Sequence, residues 1–418
     1  MSAKPKPARW LPDLPGTEAE SIAGGWNARL LMNDRGTPKA LLANAITALR
    51  SAPEWAGVLG FKEFSLGTVT LKAAPWQTAA SGEEWTDHED RLTADWLQHH
   101  GILVGVEVAG QAAQTVARER PFHPVREYLD GLKWDGTKRI DTWLSLYLGV
   151  EHSDYAAAVG ARWLISAVAR IYKPGCKADC CLILEGEKGT KKSTALKTLT
   201  GEWFTDEIAD LGSKDSAMQT RGVWVIEIAE LDSMTRSGVG RIKAFMSRAS
   251  DRFRPPYGKR LIESPRQCIF AGSVNHSTYL RDETGARRFW PVTCGGVDIA
   301  TLKRDRNQLW AEAREQFRGG ATWWLDSREL NQRAEEEQDD RYEGDPWQEL
   351  ITDWVESRTE CSIPQVLRLC INKAADQWTQ GDQNRVSRCF KAMRWDKCRV
   401  GPRGKREWRF KRPVVSTL

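Results

Sequence analysis

The rhythm of apolar and polar positions along this chain changes near residue 173. Before it, apolar residues recur mostly at three- and four-residue spacing, as in "PKALLANAITALRSAP" and "TADWLQHHG", with a shorter strand-like stretch, "FSLGTVTLKAAP", between them. That mixture predicts a mixed, mostly helical N-terminal domain over 20–115, behind a Pro-rich, charged and flexible lead-in at 1–19. Gly131, Gly136 and Gly149 punctuate "PFHPVREYLDGLKWDGTKRIDTWLSLYLG" into two short helices. The amphipathic "YAAAVGARWLISAVARIY" adds a longer one, so 116–172 reads as a helical collar. After the turn "YKPGCKADCC", short apolar runs of strand length appear: "CCLILEG", "GVWVIEIAEL", "RQCIFAGSVN" and "RRFWPVTC". Such runs fit strands buried on both faces of a parallel sheet, and the helical stretches "STALKTLTG" and "SGVGRIKAFMSRAS" lie between them. An α/β core is therefore expected over 173–325. An acidic helical linker at 326–344 leads to a small unit at 345–418, with helices near 345–357, 363–376 and 383–393 and strands "CRV" and "REWRF" around the tip "GPRGK".

Charge changes the picture at one end. The 418-residue chain has a formal net charge of only +5, yet Arg385–Arg412 is densely basic, with Asp396 and Glu407 its sole acids. A basic patch on a near-balanced chain is the footprint of phosphate-backbone contact, and a solvated basic helix and tail is the plainer alternative. Three helices followed by a two-stranded basic hairpin look like a winged helix, with Asn384–Arg394 as the groove-entering helix. Arg385 and Arg388 on that helix, and Arg403 and Lys405 on the wing, are the candidate DNA contacts.

Other compositional features mainly exclude. No apolar run reaches membrane-spanning length and no apolar leader opens the chain, so the expectation is a cytoplasmic protein with reduced thiols and no membrane partner. Cys176, Cys180 and Cys181 crowd together without a second Cys/His pair, which favours buried cysteines over a zinc site. The 20 tryptophans read as core anchors. "DHED" at 87–90 reads as a polar turn.

One loop carries candidate chemistry. "GEKGTKKST" nearly matches the phosphate-binding pattern Gly-x-x-x-x-Gly-Lys-Ser/Thr, with Gly186 opening it and Lys192-Ser193 closing it. Lys191 stands where the second glycine belongs. A side chain there is tolerated at negative φ and costs at positive φ. The loop is either a phosphate cradle or a Lys/Gly-rich turn. As a cradle, the backbone of Gly186, Glu187, Lys188, Gly189, Thr190, Lys191 and Thr194 would surround the phosphates of ATP. Lys192 would reach the β- and γ-phosphates, and Ser193 would bind Mg2+.

Three later stretches favour the cradle. "VWVIEIAEL" ends a buried strand with Glu227 and Glu230, one carboxylate for the magnesium shell and the other to orient and deprotonate a water. Glu227 sits inside an apolar run, an expensive place for an idle acid. "CIFAGSVN" ends in Asn275, an amide for the γ-phosphate or its water. "DETGARRFWPV" offers Arg287 and Arg288 as candidate fingers for a neighbouring subunit's nucleotide.

Together "GEKGTKKS", "WVIEIAEL", "DRFRPPYGKR", "CIFAGSVN" and "TGARRFWPV", with "FHPVREYLDGLKWDGTKRIDTWL" upstream, resemble the virulence-associated protein E family. Its members are P-loop ATPases of phages and mobile elements, similar to superfamily 3 replicative helicases of the AAA+ class. The resemblance spans 115–325 and departs at Lys191, where the family usually has glycine. It implies an α/β P-loop core using ATP and Mg2+. It puts Lys192, Ser193, Glu227, Glu230, Asn275 and one of Arg287 and Arg288 in the roles given above. It also implies assembly into a ring, expected to be a hexamer, since the finger would act between subunits.

The segment "DRFRPPYGKRLIESPRQ" resembles the hairpin that grips single-stranded DNA in the channel of superfamily 3 rings. Tyr257, Lys259 and Arg260 are its candidate contacts, helped by Arg252 and Arg254; structural ion pairs are the alternative for the last two. Any primase is expected to be a separate partner. The sequence thus predicts an ATP-dependent DNA helicase or translocase of a phage or mobile-element replication system, moving on single-stranded DNA, with double-stranded DNA as a second partner of the terminal unit. The rival is an ATP-switched initiator or loader without processive unwinding, and a third reading is a degenerate ATPase serving as a scaffold.

Overall fold

The computed structural model describes residues 25–78, 82–207, 214–229, 236–254, 260–275, 286–341, 347–400 and 407–413. It divides into two units, Met1–Glu127 and Tyr128–Leu418. In the first, α1 (Leu42–Ser51), β1 (Leu59–Lys62), β2 (Gly67–Thr70), α2 (Asp87–His99), α3 (Val106–Ala117) and β3 (Pro121–Phe122) follow in order. β1 is the central strand, antiparallel to β2 and parallel to β3. Ala45, Ala48, Ala109, Ala112 and Ala113 are fully buried, and their small side chains let the helices approach closely. Trp55 meets Trp76 and Trp96 edge-on, each at 5.6 Å, so these indoles are core anchors as expected. "DHED" is not a free turn. It is the first turn of α2, where Thr86 and Glu89 form a capping box and the acids face the positive end of the helix dipole.

After α4 (Pro124–Gly131), which crosses the boundary, the second unit continues with α5 (Trp143–Leu148) and α6 (Asp154–Tyr172). Then come β4 (Cys181–Glu185), α7 (Lys192–Thr200), β5 (Phe204–Thr205), α8 (Lys214–Gln219), β6 (Val225–Ala229), α9 (Arg236–Met246), β7 (Ser250–Phe253), β8 (Ile262–Pro265), β9 (Ile269–Val274), β10 (Phe289–Thr293), α10 (Ile299–Arg318) and α11 (Arg328–Asp339). The apolar runs pair into one parallel sheet in the order β10-β4-β9-β6-β5. Pro291, which lacks a donor, is accommodated because β10 is an edge strand.

Buried indoles tie the layers together. Trp163 on α6 donates to the Phe270 carbonyl, Trp224 to that of Ala167, and Trp310 on α10 to that of Leu199, at 2.8, 3.0 and 2.8 Å. The chain leaves β4 for the far edge at β5 and returns last to β10, on β4's other side. That reversal makes the carboxyl end of β4 a topological switch point, where open parallel sheets form their crevices.

β7 and β8 pair as an antiparallel hairpin from Ser250↔Pro265 to Phe253↔Ile262. Its base is locked by buried Arg266, which donates to Asp251 at 2.6 and 2.8 Å. The last elements are α12 (Trp347–Val355), β11 (Glu360–Cys361), α13 (Ile363–Gln365) with a π-helical continuation at Val366–Cys370, α14 (Gln380–Ala392), β12 (Asp396–Val400) and β13 (Glu407–Lys411). Their sheet order is β11-β13-β12, over a core that includes Ile351, Leu367, Val386, Phe390 and Phe410. The helix expected over 363–376 ends early, with Asn372 at φ 56°. No helix among the described residues is long and apolar enough to cross a membrane.

Candidate functional site

β4 delivers the chain to the carboxyl edge of the sheet, and a loop from Gly186 to Lys191 turns it into α7. Gly186 has φ 146°, and a Cβ there would lie 3.3 Å from the Cys294 carbonyl, so both backbone and space call for glycine. Burial pushes the thiol of Cys294 up to about 12, which keeps this wall of the loop neutral. Lys191 has φ 64° and ψ 26°. That is the left-handed region, where a non-glycine residue costs roughly 1–2 kcal/mol. Lys191→Gly is expected to raise the unfolding free energy by about 0.5–1 kcal/mol in urea titration, because glycine's larger entropy loss offsets part of the relief. An unchanged midpoint would mean that the loop holds Lys191 without strain.

Lys192 opens α7 and is 6% exposed. Its ammonium turns back into the loop and donates to the carbonyls of Gly186 (2.6 Å) and Glu187 (3.0 Å) and to Thr190 Oγ1 (3.2 Å). The start of this nine-residue helix, which has no side-chain cap, thus carries an ammonium beside its first-turn backbone N–H groups, a setting that favours anions.

Strand alternation places the next residue. Ile226 and Ile228 join the core formed with Ile242 and Phe245 of α9, so Glu227 between them faces the other side of the sheet, toward α7. Ser193 Oγ donates to Glu227 Oε1 at 2.7 Å. Glu227 is 2% exposed, and among the described residues no donor meets its Oε2. A buried carboxylate with one unmatched oxygen is costly unless a cation or a further donor completes it. A hydroxyl and a carboxylate side by side are the hard oxygen donors that suit Mg2+.

Asn275 follows β9 at the same edge and is exposed. Glu230 lies outside the described residues. Arg287 and Arg288 do not join the cluster. They precede β10 at the amino edge of the sheet, a strand length of roughly 15 Å from the loop of the same chain. Arg288 is held in place, with Nε 3.2 Å from Asp179 Oδ2 and 3.0 Å from Ser247 Oγ, whereas Arg287 is exposed.

The structure adds residues that sequence reasoning passed over. Glu185, the last residue of β4, is 2% exposed and accepts a two-pronged ion pair from Arg341 Nε (2.6 Å) and Nη2 (2.9 Å), with Thr293 Oγ1 at 2.9 Å. This pair fixes the residue from which the loop departs. An acid closing an apolar run, the signal that marked Glu227, was equally present in "CLILEG". Beside α7 a cavity of about 500 Å³ opens, lined in part by Ser193, Thr194, Lys197, Phe204, Lys303 and Arg306.

The model of the virulence-associated protein E-like domain matches residues 129–343, more than half of the chain. The chain belongs to this family. No curated protein matches it. Among solved structures, the apo C-terminal region of NrS-1 (305–718) is similar at 13% identity, covering 85% of this chain and 95% of that one, with a TM-score of 0.44. Two A-form apo structures of the same region each cover 68% of this chain and 78% of that one, at 13% and 14% identity and TM-scores of 0.38 and 0.41.

The virulence-associated protein E-like domain includes the whole parallel sheet, the Gly186 loop and the β7–β8 hairpin. Tyr257 and Lys259 lie outside the described residues, while Arg252, Arg254 and Arg260 are exposed. The terminal unit follows the domain. There Arg385 lies 3.9 Å over the Trp347 ring and is half-buried, so it packs within the unit; Arg388 is half-buried too, and its Nε meets no acceptor among the described residues. Arg403 and Lys405 are outside the described residues. Lys397 and Arg399, which the sequence reading did not single out, are exposed and each lie 5.0 Å from the ring of exposed Trp408.

Proposed function

We propose that this chain is an ATP-hydrolysing, ring-forming motor that moves on single-stranded DNA during replication of a phage or mobile element. The observation that carries the reading is the contact of half-buried Ser193 with buried Glu227 at the mouth of the Gly186 loop, with a carboxylate oxygen unmatched among the described residues and a lysine ammonium at the same helix start. In this reading the sheet is a P-loop core and the terminal unit a winged helix.

The backbone N–H groups of the loop and of α7's first turn hold the phosphates of ATP. Lys192 leaves the loop carbonyls for the β- and γ-phosphates. Ser193 Oγ and Glu227 would hold Mg2+, which would supply neutralisation of charge on the phosphates. Glu230 orients the attacking water and Asn275 touches the γ-phosphate. The finger comes from a second copy, because no arginine of the "ARRFW" stretch reaches its own loop. The locked base of the β7–β8 hairpin suits a lever whose tip, with Tyr257, Lys259 and Arg260, meets the DNA strand. Lys397 and Arg399 join Arg403 and Lys405 as phosphate contacts of the terminal unit.

Steady-state ATP hydrolysis with and without single-stranded DNA, beside Lys192→Ala, tests this reading. Turnover that DNA stimulates and Lys192→Ala removes is the expected result. Absent turnover with DNA still bound would replace the motor by an ATP-switched initiator or a scaffold.

A further inference from the structure

A second cavity, of about 510 Å³, opens beside the start of β10, at the sheet edge away from the Gly186 loop. Trp290, Trp323, Trp324, Lys177, Arg287 and Arg288 are among its lining residues. Trp290 is buried, Lys177 and Arg287 are exposed, and Trp324 is 49% exposed. The surroundings hold Trp324 still. Its carbonyl accepts from Arg162 Nε at 2.9 Å, and Arg162 pairs with Asp326 at 2.7 Å. Its ring meets Trp323 edge-on at 5.2 Å, and Trp323 in turn donates to the Lys177 carbonyl at 2.8 Å.

An indole fixed in place yet half in water, over a concave space flanked by cations, presents a flat apolar face and positive charge together. A bare anion has no use for three tryptophans. An apolar peptide has no use for Lys177 and Arg287. A nucleotide unit uses both, since a base stacks on an aromatic ring and its phosphate pairs with the cations.

The geometry points to a nucleotide-binding pocket, in which a base stacks on Trp324 and its phosphate meets Lys177 and Arg287. Arg288 shapes the wall through Asp179 and Ser247. The base has two possible sources with the same chemistry: a single strand of DNA, or the nucleotide bound by a neighbouring copy whose phosphates Arg287 approaches. The first is independent of the Gly186 loop; the second rests on the function proposed above.

Trp324→Ala, Trp324→Phe and Lys177→Glu in the full chain test it, using anisotropy of a fluorescein-labelled single-stranded oligonucleotide and, separately, fluorescence of N-methylanthraniloyl-ATP. Trp324→Ala is expected to weaken one ligand about tenfold, Trp324→Phe to keep most of the affinity, and Lys177→Glu to weaken the same ligand. Thermal melting should stay unchanged for Lys177→Glu, which alters an exposed side chain, and fall by at most a few degrees for Trp324→Ala, which loses one ring contact to Trp323. Loss for the oligonucleotide alone assigns the pocket to DNA; loss for the ATP analogue alone assigns it to a neighbour's nucleotide; loss of both means that it serves both. If the wild-type chain binds no ATP analogue, the motor reading fails while the oligonucleotide still decides the pocket. Unchanged affinity for every ligand that the wild type binds, or a Phe variant as weak as the Ala variant, overturns the proposal.

Discussion

Arg287→Ala is expected to lower DNA-stimulated ATP turnover by roughly 10³–10⁵-fold, the effect of removing an arginine finger, or about 4–7 kcal/mol of transition-state stabilisation. Thermal stability should change little, because Arg287 is exposed. Arg288→Ala should behave differently. Its guanidinium is partly buried against Asp179 and Ser247, so its removal leaves Asp179 unpaired and lowers stability by about 1 kcal/mol, with a smaller effect on rate. The strand between these arginines and the Gly186 loop makes a further outcome specific to action between copies. Mixing Arg287→Ala protein with Lys192→Ala protein should restore part of the activity that each lacks, because some interfaces then pair an intact loop with an intact finger. Failure to complement, with both variants still assembling, would sink the trans assignment. An Arg288→Ala loss as large as that of Arg287→Ala, at unchanged melting temperature, would move the finger by one residue.

Much of this arrangement is legible in local sequence because the relevant signals are local. Four of the five strands of the parallel sheet announce themselves as apolar runs, and Glu227 stands out as an acid within one. The fifth strand, Phe204–Thr205, is two residues at an edge and has no pattern to display. Glu185 has the same local signature as Glu227, but its partner Arg341 lies 156 residues away, and nothing near Arg341 marks it. The conformation at Lys191 shows where sequence stops: the motif says that glycine is usual, and only the backbone says that positive φ is still adopted. Arg385 and Arg388 were singled out by charge, yet charge does not tell which cations a helix turns inward, and Trp347 takes one of them. "DHED" differs from its expected turn for a related reason, since acids that suggest a turn also suit the first turn of a helix.

Glu227→Gln is expected to lower turnover by about 10²-fold or more, as loss of a group that holds the metal should, while leaving the fold as stable as before, or more so by up to about 2 kcal/mol. The two directions have one cause. In the free chain Glu227 is buried with Oε1 on Ser193 and Oε2 unmatched among the described residues, so its charge opposes folding unless a cation joins it. Glutamine keeps the shape and can still accept from Ser193 Oγ, but it carries no charge to hold Mg2+ or to neutralise a shifting phosphoryl group. Ser193→Ala separates the effects: it leaves both carboxylate oxygens without that donor and should destabilise by about 1–3 kcal/mol. Urea titration with and without Mg2+ and ADP reads the difference directly. Ligand should stabilise the wild type and barely move Glu227→Gln. If Glu227→Gln gains as much from Mg2+ and ADP as the wild type does, the metal is held elsewhere and the Ser193–Glu227 pair is a structural contact. If Glu227→Gln is instead markedly less stable without ligand, a donor that completes Oε2 already exists, and the carboxylate is part of the scaffold rather than poised for a cation.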